Sequence, residues 1–414
     1  MNNLSIIILH YTCPPIVGGV EEVVRHQASI LSRYGHRVKI IVGEGEKFDP
    51  SVPVVSNSLL SSRNYEIIKM QNELYKNRKE DIEHFNYIKN MIKQFLLAHL
   101  KKYDILIAHN VLTMRYNLPL TYVLHEISND EIIKVVAWCH DSLYFYKGIP
   151  EQYHREPYNI LKKYNEKIHY VTISKSRQLE FNKLFNKNIK IIENGIDPSS
   201  FFKLTDTTRE IIEKLNLYET DFIMVQPSRL HPRKNIELSI KITKALIDQG
   251  LKTKLLVTGA FDPHEKSTKQ YHKKLENLIN ELSVGENVFV LASFRDEFNK
   301  LLLSSTSIIR DLYLIADALI MSSIQEGFGI PLIEAGMIKL PIICSNIEPF
   351  RHIAEGYALF FDLNEEPSHI AKKIIDYMES LPTRRFFRHV INNYTWDNIY
   401  KYKLYPYLKS IVGD

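Results

Sequence analysis

Glu326-Gly-Phe-Gly-Ile-Pro-Leu-Ile-Glu334 decides the reading of this chain. Two carboxylates stand eight positions apart, and a Gly-Phe-Gly turn follows the first. The stretch comes directly after an apolar, strand-like run over 318–323. The order is therefore strand, glycine turn, helix. Such a turn opens the backbone N–H groups of Gly327, Phe328, Gly329 and Ile330 at a helix N-terminus, which suits an anion. Pro331 fits the first helical turn, where its missing N–H costs nothing. Glu334 then lies about one turn into the helix, near the mouth that holds Glu326. Amides for a diphosphate, flanked by carboxylates for hydroxyls, are what a nucleotide sugar requires. The plain alternative is a loop carrying two solvated glutamates.

Glutamate, seven residues, then glutamate, set in this string after a strand, resembles the signature of the family 4 retaining glycosyltransferases. These are the glycosyl transferases group 1, with the GT-B fold. The resemblance implies that Glu326 contacts the donor sugar and Glu334 the ribose.

At 414 residues the chain is too long for one ordinary core, so two domains are expected. Its 45% apolar and 24% charged content is that of a globular protein. A formal charge of +5, with no basic tract interleaved with aromatics, argues against a nucleic-acid partner. Cys13, Cys139 and Cys344 are odd in number and widely spaced, which gives neither a disulfide framework nor a zinc site. Residues 1–11 read as a first strand, not a signal peptide, and no apolar run nears the roughly 20 residues of a membrane span. A cytoplasmic protein is expected, with peripheral contact at the inner membrane face left open.

Short β-rich runs alternate with helical stretches, which predicts α/β architecture with parallel sheets and helices on both faces. Strands are expected over 4–11, 36–42, 104–108, 134–139, 169–173 and 189–192, with a helix over 20–34. A second set covers 221–226, 254–258, 287–291, 318–321, 341–344 and 358–361, with a helix over 235–249. Turn signals at 193–201 place the join. The chain thus reads as two Rossmann-like doubly wound domains facing a cleft, which is also the GT-B architecture that the resemblance implies. An acceptor-binding domain would span 1–195 and a nucleotide-sugar-binding domain 196–395, with a terminal helix over 396–414 crossing back to the first. Residues 64–101 form a lysine-rich insertion in which Tyr87, Ile88, Met91, Ile92, Phe95, Leu96 and His99 recur at helical spacing. That pattern predicts an amphipathic helix packed on the first sheet; an acceptor-side or membrane-facing element is the alternative.

Ligands of doubly wound sheets bind beyond the carboxyl ends of strands, and the remaining candidates fall there. Gly18 and Gly19 follow the first strand and precede a helix, so backbone can approach a ligand closely. They resemble the family's glycine loop near the donor phosphates and the acceptor; a structural turn is the alternative. Arg229 and Lys234, in Ser228-Arg-Leu-His-Pro-Arg-Lys-Asn-Ile236, resemble its Arg…Lys pair, with Arg233 able to stand in for either. Fixed cations there would stabilise the leaving diphosphate more than the ground state. His140 and Asp141 end the 134–139 strand. The resemblance implies that His140 bonds the sugar's 6-hydroxyl, while Asp141 could orient His140 or bind an acceptor hydroxyl. His109 and Asn110 end the 104–108 strand and Ser174 follows the 169–173 strand; these read either as ligand contacts or as caps. Asn194 reads as a turn residue.

No Asp-x-Asp triplet or close His/Cys cluster calls for a metal, and no phosphate-loop motif points to an NTPase. The expectation is a retaining, metal-independent hexosyltransferase. It would need no cofactor and would use GDP-mannose or UDP-glucose as donor, with a sugar, glycolipid or small hydroxylated acceptor. The alternatives are a GT-B epimerase or hydrolase, a non-catalytic nucleotide-sugar binder, and, more remotely, a Rossmann oxidoreductase.

Overall fold

The computed structural model describes residues 3–74, 79–259, 267–291 and 305–413. It forms two units: residues 1–197 with 393–414, and residues 198–392. Both are α/β units built on an all-parallel sheet.

The first unit holds seven strands: β1 (Ser5–Thr12), β2 (Arg37–Glu44), β3 (Val54–Ser56), β4 (Ile105–His109), β5 (Lys134–Cys139), β6 (Ile168–Thr172) and β7 (Lys190–Ile191). Their order is β3-β2-β1-β4-β5-β6-β7. Central parallel strands are covered on both faces, which is why Ile6-Ile-Ile-Leu9 is apolar throughout and fully buried. Alternate residues feed opposite cores. Ile7, Leu9 and Tyr11 join one, while Leu4, Ile6 and Ile8 join the other.

The insertion lies on the first of these faces as two helices, Tyr65–Leu74 and Lys79–Leu100. Its inner stripe is Phe85, Ile88, Ile92, Leu96 and Leu100. Tyr87 and Met91, expected on that stripe, face solvent at 62% and 42% exposure. The buried residues recur mainly every fourth position, so residues one step ahead rotate off the contact.

The second face is covered by the helix Gly19–Arg33 and by the last segment of the chain. Trp396, Ile399, Tyr400, Leu404, Leu408 and Ile411 enter this core. The segment runs as a helical turn at Trp396–Ile399, a π-turn at Tyr400–Leu404 and a helix at Tyr405–Val412. Tyr400 stacks on Tyr34 with ring centroids 3.9 Å apart, and its hydroxyl lies 2.7 Å from His36 Nε2. Arg33 grips Asp397 with two bonds of 2.7 Å. Ile196 and Thr395 pair as a parallel bridge, so the chain leaving and the chain returning are hydrogen-bonded to each other.

The second unit holds β8 (Phe222–Gln226), β9 (Thr253–Val257), β10 (Val288–Val290), β11 (Ala318–Met321), β12 (Ile342–Ser345) and β13 (Leu359–Phe361). Their order is β10-β9-β8-β11-β12-β13. At the amino end of β11 the fully buried Asp317 accepts from Ile223 N at 2.7 Å and pairs with Arg388 and Arg384 of the helix Pro382–Tyr394.

Among the described residues no helix is long and apolar enough to cross a membrane, and no three of His, Cys, Asp and Glu gather as ligands for a metal ion.

Candidate functional site

In the second unit the chain runs outward from β8 to β10, then returns to begin β11 beside β8. The order reverses between these two neighbours, and ligands of doubly wound sheets bind beyond the carboxyl ends of strands at such a reversal. Both sequence motifs of this unit fall there.

The segment after β8 makes a short helical turn, Pro232–Lys234, whose cap is His231 accepting from Arg233 N. Asn235, left-handed at φ 47°, then redirects the chain into the helix Ile236–Asp248. The buried Ser322, just past β11, donates to Asn235 O at 2.8 Å, and Ile324 N donates to Arg233 O at 2.8 Å. These bonds fix the basic turn against the loop that carries Glu326.

Lys234 and Glu326 form an ion pair with side chains only 12% and 9% exposed. Glu326 also accepts from Ser323 Oγ at 2.8 Å and lies 3.5 Å from Arg233. Sequence reading gave Lys234 and Glu326 separate partners; the structure couples them. Arg233, considered only as a stand-in, is the second cation on this carboxylate. Arg229 is exposed on the same turn.

Gly329 has φ 123°, and a Cβ there would meet Phe350 and Ile353 at 3.2 Å. Only glycine suits this position. Phe328 and Ile330 on either side are more than half exposed. The helix Ile330–Met337 starts with no side-chain cap; Pro331 has no N–H and Leu332 N donates to Gly329 O at 3.0 Å, so the amide of Ile330 is the one its first turn can offer a ligand. Glu334 is exposed on it and accepts from Tyr313 OH at 2.9 Å. Gly329→Ala is expected to cost about 1–3 kcal/mol, read as a fall in thermal midpoint; an unchanged midpoint would refute the close packing of this turn.

The first unit reverses between β1 and β4. Gly18 is extended, at φ −172°, a backbone that any residue adopts. A Cβ there would lie 2.1 Å from the carboxylate of Glu21, which is folded back over it. Gly19 is open and starts the helix. Glu21 accepts from Thr12 Oγ1 and approaches His10 Nε2 to 3.8 Å.

His140 follows β5 and is 9% exposed. Burial, helped by the nearby His10, pushes its pKa down to about 3, so the imidazole is neutral. Its Nε2 lies 3.2 Å from His109 Nδ1. His109, weighed as an acceptor contact, has no exposed surface and sits beneath His140. Asn110 is committed as well: its left-handed backbone turns the chain at φ 54°, and its Oδ1 accepts from the amides of His140 and Asp141. Asp141 pairs with Arg177 at 3.2 Å and accepts from Tyr146 and Ser142 N, not from His140. Ser174 caps the helix Lys175–Phe185. Asn194 Oδ1 is buried with no partner in this structure.

Sequence reading missed His10, Glu21 and Gln27. The usable signal was the parallel register: Leu9 opposes Ala108, which sets His10 beside His109.

Two family models divide the chain. Glycosyltransferase Family 4 matches residues 17–200, and Glycosyl transferases group 1 matches residues 207–390. The chain belongs to the family 4 glycosyltransferases. Its two doubly wound units are the domain types of the GT-B class. The mannosylglucosylglycerate synthase of Petrotoga mobilis is 27% identical to this glycosyltransferase over 285 residues, 62% of the chain and 64% of that protein. The serotype-specific mannosyltransferase WbdA of Escherichia coli is 32% identical over 157 residues, 38% of the chain and 17% of that protein. The chain thus spans less than two thirds of these relatives' length. The crystal structure of a glycosyltransferase from Rickettsia africae covers 100% of both chains at 20% identity, with a TM-score of 0.36.

Proposed function

We propose that this glycosyltransferase moves a hexose from a nucleoside diphosphate sugar to a hydroxyl acceptor, with retention and without a metal ion. The observation that carries the reading is the shielded Lys234–Glu326 pair at the strand-order reversal, beside a glycine turn that leads into a helix with no side-chain cap. The second unit would hold the donor: Arg229 and Lys234 with the amides of Gly327 to Ile330 on the diphosphate, Glu326 on the sugar, Glu334 on the ribose. The first unit would take the acceptor and supply His140. Cations at the leaving group do the work of a divalent ion, because charge gathers on the diphosphate as the glycosidic bond breaks. The printed names of the mannosyl-transferring relatives favour mannose over glucose.

A thermal-shift panel of nucleotides and nucleotide sugars without metal, followed by a nucleotide-release assay, tests this. Stabilisation by guanosine or uridine diphosphates, with release that requires an added acceptor, is the expected result. Release at full rate without acceptor would favour a hydrolase or epimerase. Binding without any release would leave a non-catalytic binder. Glu326→Ala is expected to reduce sugar transfer about 100-fold while nucleoside diphosphate affinity changes little. Loss of nucleotide binding alone would overturn its assignment to the sugar.

A further inference from the structure

A buried line of hydrogen bonds runs behind His140. His140 Nε2 lies 3.2 Å from His109 Nδ1, and His109 Nε2 lies 2.8 Å from Gln27 Oε1. Gln27 and His109 have no exposed surface. Trp138 stacks on the His109 ring at 5.6 Å and 27°, which restrains that ring from turning to exchange partners. His10 Nδ1 lies 2.7 Å from the His109 carbonyl and so donates to it, tying β1 to the same point.

The direction of the line follows from what each atom can do. With the Gln27 oxygen facing the ring, and an amide oxygen only able to accept, His109 Nε2 carries the proton. A neutral imidazole has one N–H, so His109 Nδ1 accepts. His140 Nε2 must then be the donor, and His140 Nδ1 keeps its lone pair. Burial, with repulsion from His10, holds both rings neutral. No partner for His140 Nδ1 occurs among the described residues.

Gln27 supplies a second observation. Its amide nitrogen is buried and unpartnered, and turning the amide over would reverse every bond of the line, so the nitrogen spectrum of the imidazoles decides its direction.

We propose that Gln27 and His109 are positioning residues that fix the tautomer of His140, so that Nδ1 accepts a hydrogen bond from a substrate hydroxyl instead of donating one. This rests on the reading of His140 as a substrate contact. The role of the histidine is then orientation of a hydroxyl through a fixed lone pair, with a tautomer set two residues away.

The test begins with nitrogen NMR of the imidazoles in the intact, unliganded protein. The expected spectrum has His140 protonated at Nε2 and His109 at Nε2. Protonation of His140 at Nδ1 would overturn the proposal. Gln27→Met, which keeps the volume and removes the hydrogen-bond acceptor, is then assayed for nucleotide release from GDP-mannose and UDP-glucose in the presence of the sugar acceptor that supports release by the unchanged protein. The expected result is a kcat lower by about tenfold, with KM within about twofold and a changed His140 tautomer. In a His140→Ala background the same substitution should add no further loss. Equal losses in both backgrounds would show a merely structural effect and sink the relay alone. Wild-type turnover by His140→Ala would sink the reading of His140 and the proposal together.

Discussion

Lys234→Ala is expected to lower kcat by about 10²- to 10³-fold in a protein that still folds. The backbone of Lys234 is fixed from behind, its carbonyl accepting from the buried Gln226 Nε2 at 3.2 Å, and its ammonium is held by Glu326. A cation shielded in that pair needs little reorganisation as negative charge grows on a leaving diphosphate, so its effect falls mainly on the transition state. Glu326 loses its nearest cation in the variant but keeps Ser323 and Arg233, so circular dichroism should be unchanged. Arg233→Ala is the comparison. Its side chain is 47% exposed and farther from the carboxylate, at 3.5 Å, and a loss of no more than about tenfold is expected from a solvated charge. Full turnover by the Lys234 variant would remove the leaving-group role.

Arg388→Met should carry the largest stability change, about 3–5 kcal/mol by urea unfolding. Asp317 is fully buried, and Arg388 reaches both its oxygens while also donating to Thr220 O at 2.8 Å. Removing the guanidinium strands the carboxylate. Arg384, 3.3 Å away and 13% exposed, compensates in part, which places the expected loss toward the lower end. Asp317→Asn added to Arg388→Met should recover a good part of the loss, since no bare charge then remains. A change below about 1 kcal/mol in the single variant would mean that water reaches this pair.

The strands were legible because buried parallel strands have to be apolar on both faces, and Ile6-Ile-Ile-Leu9 and Ala318-Leu-Ile-Met321 offer no other reading. The same property hid His10. In a strand without polar alternation, nothing tells which way a single histidine points. The glycine turn was legible from its spacing, yet the pairing of Lys234 with Glu326 crosses 92 positions and depends on β8 lying beside β11. Asn110 looked like a ligand contact because a polar residue at a strand end has two uses. Only its left-handed backbone and its bonds to two amides show which one is taken up here. On the insertion helix the outward turn of Tyr87 and Met91 followed from the neighbour it packs on, which periodicity alone does not name.

The closing segment, Trp396 to Ile411, completes the core of the unit that begins the chain, and residues 198–392 are set into that unit as an insert. Synthesis runs in one direction at about 5–20 residues per second, so the first unit waits roughly 10–40 seconds for its last core residues after the rest of it has been made. During that interval the inserted unit is itself being made, and it is complete only as the interval ends. The part of the protein made first is therefore the part finished last, and until then the face awaiting Trp396 and Tyr400 is open apolar surface for a chaperone to cover.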